Sequence, residues 1–534
     1  MKWINSAVSA VVCLCLASSV QGPASASSAS PFNDISNNYG KKAIIHLYER
    51  NIITGTSAST FSPDKPITRA EFVTVLDRLL GLTAVNSPIS SFTDVAKQSW
   101  YSGWIQAAVQ LGLAEGVSAS AFAPEKPVTR QEAAALIIRA LKQSAADSSQ
   151  AAAFKDASLI AAWAKPSVVT MQKLGLVKGD DSGRFHPIDP ITRQDTAVMM
   201  DRVLQNTRWN AELTSNPRSS LHLGWQYGQT TAQYERTVLQ SNVDTLSPRW
   251  YFLEESGQIA DTTDPALVAW AKKNNKAVWA MVGNRSDSDL THQMLSDTYT
   301  SEAAITNLLA LVNRYRLDGL DIDFENVAPE DRTALTGFIS KLSVKLHAIN
   351  AALAVNVSPD LGTDWTEAFN YSALGKSADY IILMGYDEHW SGSSEAGSNA
   401  SLPYVKNALA KLLRVVPKEK VILGLPLYNK DWSLSMNGDI LSTEFISLAE
   451  QNNRILAYSP RPVWDSSIGQ YTVQYTQNGI PHFIWVEDGR SLSAKYKLAV
   501  NGTLAGLAYW YIGSESPDIW ASLRNAEKFF GYAF

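Results

Sequence analysis

The sequence predicts a chain of two unlike parts: an α-helical first half made of three copies of one unit, and an α/β second half whose eight parallel strands close into a (β/α)8 barrel. Three observations carry this. Ile67-Thr68-Arg69 recurs as Val128-Thr129-Arg130 and Ile191-Thr192-Arg193, at a spacing of about sixty residues that marks a repeat array. From Leu221 onward, short apolar runs alternate with helical patterns, the signature of parallel strands joined by helices. The 534 residues are too many for one ordinary domain and suit a barrel plus a second body.

Each repeat opens with Phe-x-Asp, at Phe32, Phe92 and Phe154. Each also carries Phe-x-Pro ahead of its Thr-Arg pair: Phe61-Ser62-Pro63, Phe122-Ala123-Pro124 and Phe185-His186-Pro187. Between them lies a helical pattern ending in glycine, such as Trp104 to Gly112. The unit therefore reads helix, loop, helix, with the second helix starting at the Thr-Arg. Threonine is a good N-cap there, and the acid two residues past each arginine (Glu71, Glu132, Asp195) falls in the first turn, where the helix dipole favours it. We place the units at 31–90, 91–150 and 151–205, followed by a polar linker without clear period at 206–220.

These units resemble S-layer homology (SLH) domains, whose hallmark is Thr-Arg-Ala-Glu. The first copy keeps it as Thr68-Arg69-Ala70-Glu71; the others read Thr129-Arg130-Gln131-Glu132 and Thr192-Arg193-Gln194-Asp195. The resemblance implies a trimer-like helical bundle that holds an anionic secondary cell-wall polymer through Arg69, Arg130 and Arg193. A guanidinium fork suits that task. The plainer reading gives each arginine a cap or ion pair within its own unit.

In the second half (221–534) the expected strands are Leu221–Tyr227, Leu246–Leu253, Ala277–Gly283, Leu317–Glu325, Leu353–Val357, Asp379–Tyr386, Val421–Leu427 and Leu504–Tyr511. A small β-containing insertion is expected between strands seven and eight. There Gly469–Thr476 and His482–Val486 flank a Gln477-Asn478-Gly479 turn, which predicts a hairpin on the barrel rim.

Strand four holds Asp318-Gly319-Leu320-Asp321-Ile322-Asp323-Phe324-Glu325. Residues two apart on a strand share a face, so Asp321, Asp323 and Glu325 point one way and the apolar residues the other. In a barrel wrapped by helices neither face is free to solvent. Three carboxylates on the inner face cannot all ionise cheaply, and at least one is expected to hold a proton near neutral pH. A neutral carboxylic acid beside an ionised one is what glycosidic bond cleavage uses.

This segment matches the D-x-x-D-x-D-x-E signature and resembles the family-18 glycoside hydrolases, the chitinases and related N-acetylglucosaminidases. Other strand ends agree: Met384-Gly385-Tyr386-Asp387, Gly424-Leu425-Pro426-Leu427-Tyr428 and Ala508-Tyr509-Trp510. Trp485-Val486-Glu487-Asp488 and the run Gly506 to Gly513 look more like spore-germination and cell-wall members than secreted chitin degraders. The resemblance implies retaining, substrate-assisted hydrolysis of β-1,4 N-acetylglucosaminyl linkages, in chitin oligosaccharides or peptidoglycan strands. Glu325 would be general acid and then base. Asp323 would orient the substrate acetamido group, Asp321 would trade a proton with Asp323, and Tyr386 would hydrogen-bond the acetamido group. Trp510 would floor the −1 sugar, with Asp387 and Met384 lining it and Tyr428, Trp390 and Trp485 as further contacts. Strand geometry agrees on its own terms. Asp323 and Glu325 leave one strand on one side, about 7 Å apart, and cannot readily flank an anomeric carbon from opposite faces. Two other readings stay open, a lectin-like barrel that binds without cleaving and a structural surface-layer component; Glu325 argues for the enzyme.

The net charge is −5 and no basic block appears, which argues against nucleic acid and anionic membranes as partners. No His/Cys cluster has ligand spacing, so neither metal nor other cofactor is called for. The 16 Trp and 20 Tyr suit stacking on sugar rings, though aromatics also fill cores. Lys2, the apolar run Ala7 to Ala17 and Ala24-Ser25-Ala26 read as a secretory signal peptide over 1–26, too short to span a bilayer. It contains both cysteines, Cys13 and Cys15. The expected mature protein is thus exported, free of disulfides and retained on a bacterial cell wall.

Overall fold

A computed structural model describes residues 30–90, 92–147, 152–215, 220–360 and 362–534; the expected signal peptide lies outside them. The first half contains three helix pairs: α1 (Lys41–Glu49) with α2 (Arg69–Leu79), α3 (Ser102–Gln110) with α4 (Arg130–Ala140), and α5 (Lys165–Lys173) with α6 (Arg193–Gln205). The repeat motifs explain the architecture. Asp34, Asp94 and Asp156 of Phe-x-Asp each accept the backbone N–H groups of Phe-x-Pro in the same unit, for example Phe61 N at 2.9 Å and Ser62 N at 2.7 Å. The two phenylalanines of each unit then pack ring to ring, 5.5, 5.6 and 5.3 Å between centroids. The residue before each threonine closes a ring between units. Ile67 N donates to Ile191 O, Ile191 N to Val128 O, and Val128 N to Ile67 O, at 2.8–3.1 Å. Three copies are needed to satisfy that ring, which is why the unit comes in threes.

Thr68, Thr129 and Thr192 cap α2, α4 and α6 as expected. Glu71 and Glu132 complete reciprocal capping boxes. In the third copy the shorter Asp195 takes the Thr192 hydroxyl instead, at 3.0 Å. One expectation is corrected here. Residues 206–220 are not all linker: α7 (Thr207–Thr214) starts directly after α6, with Asn206 as its cap. Its buried face rests on the single ring of Trp209, too sparse a pattern to register as a period.

The second half begins with β1 (Leu221–Gln226), β2 (Thr245–Pro248), β3 (Tyr251–Leu253), β4 (Ile259–Asp261), β5 (Ala277–Gly283), β6 (Gly319–Asp323), β7 (Ala352–Val357), β8 (Tyr380–Met384) and β9 (Val421–Pro426). It continues with β10 (Tyr428–Leu434), β11 (Ile440–Ser447), β12 (Val463–Asp465), β13 (Gln470–Gln477), β14 (Ile480–Val486) and β15 (Gly506–Trp510). Strands β1, β2, β5, β6, β7, β8, β9 and β15 pair in parallel around a closed circle. The expected second strand is split, because Pro248 cannot donate to a ladder. Beyond it β3 turns out to pair with β4. The insertion is larger than one hairpin: β10 to β14 form a five-stranded antiparallel sheet. Its β13–β14 hairpin turns at Asn478-Gly479, both at positive φ, as two-residue hairpin turns require.

The halves touch directly. Asn525, on the C-terminal helix Ile519–Gly531, exchanges two hydrogen bonds with the Thr83 backbone. Tyr532 OH donates to Leu80 O at 2.7 Å, and Lys142 Nζ to Phe530 O at 2.9 Å. Removing one cap tests the account of the repeats. Thr129→Ala should cost about 1 kcal/mol and lower the urea midpoint of the first half; an unchanged midpoint would contradict it.

Candidate active site

The inner face of the barrel is apolar at its base, with Leu223, Met281, Ala354, Ile382, Ile422 and Ala508 in contact. Toward the carboxyl ends of the strands it turns polar, where such barrels place their chemistry. On β6 the expected alternation holds: Leu320, Ile322 and Phe324 join the core under the outer helices, while Asp321 is fully buried inside. Asp318 turns away to accept Val278 N at 2.8 Å and pins the start of β6 to β5.

Three carboxylates climb from the interior to the mouth. Asp321 Oδ2 accepts Trp225 Nε1 and Ser247 Oγ, each at 2.8 Å, while its Oδ1 is buried without a donor. Asp323 Oδ1 accepts Asn356 Nδ2 at 3.2 Å. Glu325 lies two residues past the strand. Asn284 extends the ladder to it with its side-chain amide, accepting Glu325 N at 3.0 Å and donating to Glu325 O at 2.7 Å. Ser286 Oγ donates to Glu325 Oε2 at 2.9 Å, from a turn where Arg285 and Ser286 are both at positive φ.

Burial pushes Asp321 up to about 6, partly offset by its hydrogen bonds to Ser247 and Trp225 and by the nearby Asn356 amide. Asp323 is pushed further, well above the usual carboxylate range, by burial first and then by the charges of Glu325 and Asp321. Asp323 is therefore the inner carboxyl that gives up its proton later than an ordinary carboxylic acid does, and the pair titrates as a unit.

The remaining expected residues divide. Tyr386 is buried just past β8, its hydroxyl pushed up by burial and by Asp323, Asp387 and Glu325. Tyr386 packs edge-on to Tyr428 at 6.1 Å, and Tyr428 OH donates to Asp387 Oδ1 at 2.7 Å. Trp510 ends β15, edge-on to Trp225 at 5.7 Å, and Met384 ends β8. Trp390 and Trp485 stand apart. Trp390 is 57% exposed in the loop after β8, and Trp485 lies on β14 against Phe483. Among the described residues neither shares a hydrogen bond or ring contact with the carboxylates.

Arg69, Arg130 and Arg193 lie in the first half, each crossing to the next unit. Their guanidinium carbons sit 4.9, 5.4 and 4.7 Å over Phe122, Phe185 and Phe61, and each Nε donates to that phenylalanine's carbonyl. Arg130 also meets Asp195 at 3.3 Å and Arg193 meets Glu71 at 3.5 Å. Their acid partners thus belong to a neighbouring unit, not their own.

Sequence reasoning missed several members of the site: Trp225, Ser247, Asn284, Ser286, Asn356 and Lys430. Lys430 Nζ, on β10, binds Asp387 Oδ1 and Asn399 Oδ1, each at 2.6 Å. A signal existed for one of them. Asn356 is the lone polar residue of the otherwise apolar strand Ala352–Val357, where burial demands a partner. Lys430 could not be found, because β10 itself was not recognised.

Three acids in line on one strand, rising to a barrel mouth, are the arrangement of a glycosidase of the family-18 type. Residues 232–515 match the family description "Glycosyl hydrolases family 18", and the chain belongs to that family. Residues 31–73, 91–134 and 153–197 match the S-layer homology domain, which marks a wall-associated, cell-surface protein. The glycosylase YvbX of Bacillus subtilis (strain 168) is 27% identical over 323 residues, spanning 58% of this chain and 92% of that one. The cortical fragment-lytic enzyme of Bacillus cereus is 28% identical over 285 residues, 51% of this chain and 65% of that enzyme. The 125 kDa surface-layer protein of Lysinibacillus sphaericus is 38% identical over 195 residues, 36% of this chain and 16% of that protein. In fold the chain is similar to the Bacillus cereus spore cortex-lytic enzyme SleL, with TM-score 0.54 at 24% identity, covering 58% of this chain and 75% of that one. Among the described residues no helix is long and apolar enough to cross a membrane.

The Asp321 environment has a pH signature. Its folded pKa lies above the unfolded value, so folding takes up a proton between about pH 4 and 6, and stability falls as pH rises across that window. Asp321→Asn does not titrate there. Its stability relative to the unaltered protein should improve by on the order of 2 kcal/mol between pH 4 and 7, read from urea midpoints; a pH-independent difference would contradict this.

Proposed function

We propose that the chain is a cell-surface hydrolase of β-1,4 N-acetylglucosaminyl linkages that works with retention and with assistance from its substrate. The observation that carries the reading is Glu325, held at the mouth by Asn284 and Ser286 above an inner pair of carboxyls whose pKa values are both raised. Glu325 protonates the glycosidic oxygen as the bond to the leaving sugar breaks. The carbonyl oxygen of the −1 sugar's 2-acetamido group attacks the anomeric carbon and forms an oxazolinium ion. Asp323 orients that acetamido group and, by passing its proton toward Asp321, faces the cation as a carboxylate. The donor-free Oδ1 of Asp321 is suited to receive it. Glu325, now ionised, takes a proton from water as the water opens the ring, and the proton on Asp321 returns to Asp323, which together restore the starting state. Tyr386 hydrogen-bonds the acetamido group, and Trp510 lies under the sugar.

The rest of the reading follows the same proposal. The signal peptide exports the chain, and the SLH units hold a secondary cell-wall polymer, with Arg130 the most open of the three arginines. Similarity to cortical fragment-lytic enzymes supports peptidoglycan strands as substrate, with chitin oligosaccharides as the second candidate.

Glu325→Gln should lower turnover by about 10²–10⁴-fold on a chromogenic chitobioside while leaving the thermal midpoint in place. Near-normal turnover would reject Glu325 as the acid. Cleavage should also require an N-acetyl group on the −1 sugar. Hydrolysis of plain cellulose or xylan oligomers at a comparable rate would reject assistance by the substrate.

A further inference from the structure

Beside the acid cluster, over the carboxyl ends of β1 and β2, lies a cavity of about 360 Å³ walled by Tyr227, Trp250 and Phe252, with Gln226, Gln229 and Arg249 as its polar lining. That volume falls in the range of ligand sites. It adjoins the expected floor of the −1 sugar, since the Tyr227 and Trp510 ring centroids are 5.7 Å apart.

Arg249 is the unusual member. Its guanidinium carbon lies 5.4 Å over Tyr227 and 5.1 Å over Phe252. Its Nε is buried without a hydrogen-bond acceptor. Among the described residues no carboxylate lies within ion-pair distance of it, and Asp323 feels its charge only from farther off. Arg285, which stacks on the same Phe252 at 4.5 Å, is by contrast matched by Glu254 at 2.9 Å. The Oε1 of Gln229 is likewise buried without a donor. A half-buried cation without an acceptor carries a desolvation cost that an anion in the cavity would repay. The planar fork matches a carboxylate, the aromatic walls match the apolar face of a pyranose, and Gln229 can accept a hydroxyl or amide N–H. No part of neutral chitin uses the fork's charge.

We propose that this cavity is a sugar subsite selective for a residue that carries a free carboxylate, so that the glycan this site acts on is an anionic N-acetylated polymer. The inference rests on the hydrolase reading above and names its substrate class. A carboxylate can come from the lactyl ether of a muramic acid residue freed of its peptide or from a pyruvate ketal on a wall polymer. Arg249 meets the same group in both.

The test is calorimetric binding to the full chain carrying Glu325→Gln, so that nothing is cleaved. The probes are peptide-free peptidoglycan strands, pyruvylated wall-polymer fragments, a carboxyl-reduced copy of each, and chitooligosaccharides of equal length. At least one anionic glycan should bind about tenfold or more tightly than its reduced copy, the scale of a charge-assisted pair. Whichever glycan does so identifies the source. Adding Arg249→Met should erase that preference, and Arg249→Lys should keep part of it. Equal binding of anionic and reduced copies overturns the subsite without needing any Arg249 variant to fold. So does an Arg249→Met that weakens both copies alike, which would make Arg249 a packing residue or a counter-charge for Asp323. Turnover by the unaltered protein is scored separately. Selective binding without turnover keeps the subsite and rejects the hydrolase reading; turnover without selectivity does the reverse.

Discussion

Asp321 sits where an ionised carboxylate has least to gain. It is sealed inside the barrel, one oxygen held by an indole N–H and a serine hydroxyl, the other with no donor within hydrogen-bond geometry and only the Asn356 amide nearby. Two residues along the same strand, Asp323 is pressed by burial and by acids on both sides. The alternation of a β-strand makes this unavoidable, because every second side chain must enter the same narrow space. The charge of Arg249 offsets the crowding only in part. The pair therefore gives up its protons late, and the proposed chemistry draws on that. Glu325, held at the strand's end by side chains of the preceding loop, is the member that faces the opening.

Around this constraint the rest of the molecule is arranged in shells. Apolar residues fill the barrel beneath the acids, helices cover its outside, and the five-stranded insertion brings Tyr428 and Lys430 to Asp387. The SLH bundle meets the barrel through α3 and the C-terminal helix rather than through the chain connection alone. The mouth thus has a defined relation to the SLH half.

Much of this was legible from residues alone, for physical reasons. The eight barrel strands announce themselves because buried parallel strands are short continuous apolar runs, and most of their ends were placed within a residue or two. The repeats were visible because Phe-x-Asp, Phe-x-Pro and Thr-Arg each do one backbone task that few other residues can do. What stayed hidden depends on contacts distant in sequence. The strand β10 follows Pro426 so closely that it reads as the tail of β9, and β11 is largely exposed. Helix α7 buries little besides Trp209. The arginines of the repeats looked like outward hooks. Their stacking on the next unit's phenylalanine appears only once the three units close on each other. Arg249 was silent for the same reason, since an unmatched charge becomes visible only when its neighbours are known.

The central claim is that the attacking atom comes from the sugar, on the face opposite the leaving group, so that water later arrives on the face that group has left. Proton NMR of the first product formed from a β-linked chitooligosaccharide or peptidoglycan fragment tests it most directly. The account predicts that the β-anomer appears first and then mutarotates. Initial release of the α-anomer would mean direct attack by water from the opposite face, and would contradict it.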